Sequence, residues 1–199
     1  MDTAMKIARA AAFGMLGLCT LAMTPAFAAG QHVHGQAVLH VGVDGNRLLL
    51  EFTSPLDNLV GFEHAPRNDK QAAAVRAMAA RLHQPAGLFV PTRDAMCVPG
   101  PVRIESSVLA PDLLAANAPV ATPLQRAPAA APERGAGHDT HAALLAEIAY
   151  SCEHPGKLTS LELPIFDAFP RLRRIDAQVA GTRKQAAARL TARQRRLSW

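Results

Sequence analysis

The side chains of this chain best suited to chemistry are its eight histidines, several of which stand close together. His32 and His34 flank a single valine just ahead of an extended run. If a strand begins there, side chains two apart project from one face about 7 Å from each other. Two neutral imidazoles so placed can converge on one ion at about 2.0–2.1 Å each. His40 shares that face but lies roughly 20 Å beyond His34 by strand rise, too far to join the same ion. A frayed polar terminus is the alternative reading of the pair. Glu63 and His64 are neighbours in a loop bounded by prolines, where one could ligate a metal and the other orient a ligand from behind. Tying down backbone amides is their plainer role. His138, Asp139 and His141 form a third group: a spacing of three puts both imidazoles on one face of a helical turn, and His/Asp segments of this kind bind zinc. A solvated polar loop is the alternative. The candidate metal ligands are therefore His32, His34, Glu63, His64, His138, Asp139 and His141, with Zn²⁺ the expected ion. His83, near a helix end, and His154, beside Pro155, read as structural.

Catalytic constellations are missing from the sequence. It contains no HExxH, no GxSxG, no phosphate-cradling glycine loop and no CxxC, and Ser106-Ser107 has no base at recognisable spacing. An enzyme is not expected.

These residues sit in a chain that reads as exported. Lys6 and Arg9 precede an apolar stretch from Ala10 to Met23, followed by Pro25 and the small-residue site Ala26-Phe27-Ala28. That order is a secretory signal peptide over residues 1–28, cut after Ala28. The apolar run is shorter than the roughly 20 residues a bilayer span needs, so no membrane insertion is expected after cleavage. Cleavage at Cys19 as a lipoprotein is disfavoured by the bulky Leu18 before it. A cut after Ala29 would instead expose Gly30-Gln31-His32. Its amine, backbone nitrogens and imidazole would suit Cu(II) or Ni(II), but Phe27 fits that cut poorly. The expected location is the periplasm, and nucleic acid is not an expected partner. The +5 formal charge is concentrated at residues 171–199, where nine Lys or Arg face one acid, Asp176. Few aromatics interleave them; a solvated sheet face, or a metal-free docking patch for an acidic partner, is the simpler account.

The elements that must hold the histidines follow from periodicity. Residues 36–43 alternate with Ala37, Leu39, Val41 and Val43 on one face, Asp44-Gly45-Asn46 signals a tight turn, and 47–53 is extended again: a β-hairpin. A loop from Ser54 to Arg67 follows. Asn68 caps a helix, with Gln71 placed to return the hydrogen bond, and Ala72, Val75, Met78, Ala79 and Leu82 recur at helical spacing. Residues 101–109 read as a strand. From about 110 to 141 the composition turns to Ala and Pro, with five prolines between Pro111 and Pro132, which predicts a linker or mobile loop. Residues 142–152 suit helix or strand; the cysteine at their end favours strand. Leu163–Phe169 suggests a short helix, and 171–180, 183–190 and 193–198 three last strands. Cys97 and Cys152 survive processing, and an even pair in an oxidising compartment predicts one disulfide. The expected architecture is a single α+β domain over residues 29–199: an antiparallel sheet of six or seven strands, one main helix, a long Ala/Pro-rich loop and one disulfide.

The run HVHGQAVLHVGVDGNRLLLEFTSPLDNLVGFEHAP at 32–66 resembles the opening of the ZrgA-like family of exported, zinc-regulated proteins. The likeness continues through the 68–82 helix, Cys97, YSCEHPGKLTSLELPIFDAFP at 150–170 and the final strands. Its most specific pieces are the HxHG opening, the SPxxNxxGFEHAP loop and the Phe169-Pro170 pair. The resemblance implies a periplasmic zinc-binding protein, made under zinc shortage, that assists a zinc-uptake ABC transporter and its substrate-binding protein. It also implies a central His/Asp/Glu-rich loop as a metal store. Here residues 110–141 carry Ala and Pro instead, with only His138, Asp139 and His141 remaining, which shifts the metal-binding burden to His32, His34 and His64.

Overall fold

The computed structural model describes residues 33–116, 142–181 and 185–199. The hairpin expected from the alternation is present: β1 (Gln36–Asp44) and β2 (Arg47–Pro55) pair antiparallel across Gly45-Asn46. Gly45 has φ +54°, a conformation that carries no steric cost only for glycine. Ala37, Leu39, Val41, Leu48, Leu50 and Phe52 are buried on one face, as period-2 alternation requires. β2 also pairs antiparallel with β5 (Ala143–Cys152), which resolves the helix-or-strand ambiguity there: Leu144, Ala146, Ile148 and Tyr150 alternate into the same core.

The main sheet has six strands in the order β4-β5-β2-β1-β7-β8, with β4 at Cys97–Ser106, β7 at Arg174–Gly181 and β8 at Gln185–Leu190. Every pairing is antiparallel except β1 with β7, which is parallel. β4 starts four residues earlier than the expected strand, at Cys97, because it faces Cys152 across the ladder, and the two cysteines form the expected disulfide. Pro99 and Pro101 are tolerated because β4 is an edge strand with a register shift between Pro99 and Val102, where missing donors and bulges are least costly.

The last strand departs from expectation. β9 is only Arg196–Ser198 and leaves the main sheet to join β6 (Ser160–Glu162) and β3 (Val90–Pro91) in a small second sheet. Among the described helices only α2 (Asp69–Leu82) exceeds one turn; α1 (Asp57–Val60), α3 (Pro111–Leu114) and α4 (Ile165–Ala168) are four residues each. The Asn68 side chain accepts from the Gln71 amide at 3.0 Å, while the Gln71 side chain accepts from the Arg67 amide at 2.8 Å. Two N-terminal donors are thereby satisfied, and the helix buries Ala72, Val75, Met78, Ala79 and Leu82 in the core shared with the sheet. The start of the expected 110–141 loop is ordered after all: Leu113 and Leu114 are buried, and His83 Nε2 bonds the Leu114 carbonyl at 2.8 Å. That contact gives His83 the structural role its position suggested.

Candidate metal centre

Two segments far apart in sequence build the site. The first is the entrance to β1. The strand begins at Gln36 rather than at His32, so His34 does not alternate along a strand; it occupies a turn in which the Gln36 amide donates to the Val33 carbonyl at 3.0 Å. Gly35 makes this turn possible with φ +80°. Its carbonyl accepts from the amides of Arg173 and Arg174 at 2.8 and 2.9 Å, binding the turn to the chain that leads into β7.

The second segment is the loop after β2. α1 ends on Gly61, whose φ of +86° lets its amide bond the Asp57 carbonyl at 3.0 Å and turns the chain back. A side chain at Gly61 would place its Cβ 3.2 Å from Arg171 Nε, so glycine also leaves room for this guanidinium, which lies 3.7 Å from Asp57. Phe62, Glu63 and His64 then run past the β1 entrance.

The result is a contact between residues 29 positions apart: His34 Nε2 lies 3.1 Å from Glu63 Oε1. The imidazole is 62% exposed and the carboxylate 20%, so solvent reaches the pair from one side while Glu63 is largely seated in the protein. Two ligands about 2.0–2.1 Å from a tetrahedral zinc stand about 3.3 Å apart. The spacing between the two atoms is thus close to one edge of a zinc tetrahedron. His64 stacks on Phe62, rings 5.1 Å apart at 27°, and its Nδ1 bonds the Ala65 carbonyl at 2.8 Å. A carbonyl can only accept, so that bond places the ring proton on Nδ1 and leaves the lone pair on Nε2. This is the arrangement in which metal-binding histidines are usually held.

Of the expected ligands, the structure brings together His34 and Glu63, with His64 on the same loop. Among the described residues no three of His, Cys, Asp or Glu gather into a group able to hold a metal ion. His32, His138, Asp139 and His141 lie outside the described residues, as does the expected signal peptide. His40 sits on the outer face of the sheet, opposite Glu51 in the ladder and apart from the pair. Sequence reasoning assigned no role to Asn58, which is 1% exposed and bonds both the turn at His34 and the end of β2. Its signal was its fixed place in the SPxxNxxGFEHAP loop, which gives no hint of its bonds.

The described residues thus form an antiparallel-rich α+β domain with a histidine–carboxylate pair at the mouth of its first strand. The model of the ZrgA family zinc uptake protein matches residues 31–199, and the chain belongs to that family. No curated protein matches the chain. Among the described residues no helix is long and apolar enough to cross a membrane.

Proposed function

We propose that this protein is a periplasmic zinc-binding accessory protein that hands or buffers Zn²⁺ for an ABC uptake system, its partner being that system's substrate-binding protein. Membership of a family named for zinc uptake supports the zinc role. The observation that carries the site is the 3.1 Å approach of His34 Nε2 to Glu63 Oε1. In this reading both residues ligate the ion, Nε2 of His64 is the next donor available on the loop, and His32 adds a donor from the amino-terminal side. His138, Asp139 and His141 would provide a second, weaker site. No bond-making step is assigned to the protein.

The test is a zinc titration of the mature chain against a chromogenic chelator. About one to a few ions should bind. His34→Ala and Glu63→Gln should each weaken the tightest site by tenfold or more, and the pair together by little beyond the worse of the two, because both act on one ion. Unchanged affinity in both variants would remove this site. Co-purification with the substrate-binding protein, lost in a chain without zinc, checks the partner.

A further inference from the structure

Both arms of the site are turns, and the exposed imidazole of His34 has little of its own to hold it in place. Among the described residues, the side chain that ties the arms together is Asn58. Its Oδ1 accepts the Gly35 amide at 2.6 Å, and its Nδ2 donates to the Gln36 carbonyl at 2.9 Å and to Ser54 Oγ at 3.1 Å. The two peptide groups it reads immediately follow His34. Asn58 itself belongs to α1, whose C-cap Gly61 starts the turn that delivers Glu63.

We propose that Asn58 is the positioning residue of the metal site, setting the distance between His34 and Glu63 from a buried position without touching the ion. This inference rests on the zinc reading above. The task needs an amide. Gly35 offers a donor and Gln36 an acceptor, and only a group with an oxygen and an NH₂ on one planar head satisfies both while still reaching Ser54. A carboxylate of the same shape would set two oxygens against each other at Gln36. A shorter hydroxyl would reach one partner at most. Being 1% exposed, the amide cannot exchange these bonds for water, so a mismatch is relieved by moving the turn, and His34 with it.

The experiment is a double-variant cycle on the mature chain, read as zinc affinity against a competing chelator, with circular dichroism confirming the fold. Asn58→Asp is isosteric and is expected to weaken zinc about tenfold, the lower end of the range for residues that orient metal ligands. In a His34→Ala background the same change should cost nothing further. Equal loss with and without His34 would overturn the proposal, since a residue serving only the fold acts the same in both. Affinity within twofold of the parent would also overturn it, provided His34→Ala alone is weakened. If His34→Ala binds as tightly as the parent, the site reading itself fails, a distinct result. Should Asn58→Asp not fold, Ser54→Ala enters the same cycle. It releases one Nδ2 proton and should weaken zinc roughly threefold only when His34 is present; no change there overturns the proposal.

Discussion

Tyr150 shows how much one atom can report. It is the single tyrosine of the chain, its ring is buried, and its hydroxyl donates to the Phe89 carbonyl at 2.7 Å. Burial disfavours the phenolate and pushes the Tyr150 hydroxyl well above its ordinary value of 10.0. A folded chain that holds this proton more tightly than the unfolded chain is fully stabilised by it below pH 10, and loses that contribution as pH rises further. The native protein should therefore show no tyrosinate absorbance until it unfolds, and its urea midpoint should fall between pH 9 and 11. Tyr150→Phe should cost about 1–2 kcal/mol at neutral pH through the stranded carbonyl, and the part of the alkaline loss due to this residue should vanish. A tyrosinate signal at pH 10.5 in folded protein would refute this account. At the same scale, the candidate ligands were nameable one by one from their types, but the pairing of His34 with Glu63 was not. It depends on a turn and a one-turn helix joined through the Asn58 side chain, a join that leaves no periodic trace.

At the scale of elements, legibility followed the length of the pattern. The hairpin and α2 each repeat their signal over several residues, and both formed within two residues of expectation. The three-residue strands β6 and β9 and the two-residue β3 carry too few residues for alternation to register. β8 contains Ala186, Ala187 and Ala188, poor strand formers whose placement is decided by the ladder to β7 rather than by propensity. The bend after α1 is the element most open to test. Gly61→Ala forces a side chain into a left-handed conformation and sets its Cβ 3.2 Å from Arg171 Nε. The change should lower stability by about 1–2 kcal/mol and, by shifting Glu63, weaken zinc as well. A variant with unchanged thermal midpoint and zinc affinity would show that the bend tolerates ordinary geometry.

For the molecule as a whole, the disulfide and the sheet order matter most. The even cysteine pair made the bridge between Cys97 and Cys152 readable, because compartment and count suffice for that inference. The parallel join of β1 to β7 was not readable, since it links ends of the chain that no local pattern relates. The bridge closes a separation of 55 residues, enclosing residues 117–141, and in the chain-entropy account should add about 4 kcal/mol. Replacing both cysteines by alanine should lower the thermal midpoint by on the order of 10 °C, with zinc affinity measured well below that midpoint nearly unchanged, because neither cysteine lies near His34. An unaltered midpoint would mean that the unfolded chain is already restrained without the bridge.

The bonds from Arg173 and Arg174 to Gly35 set an order of birth. A ribosome makes the histidine arm first and this anchor almost last, so a nascent chain ending at residue 170 would own both His34 and Glu63 with Asn58 alone to brace the former. In the proposed zinc reading, a full grip on the cation therefore arrives only as the polypeptide nears completion.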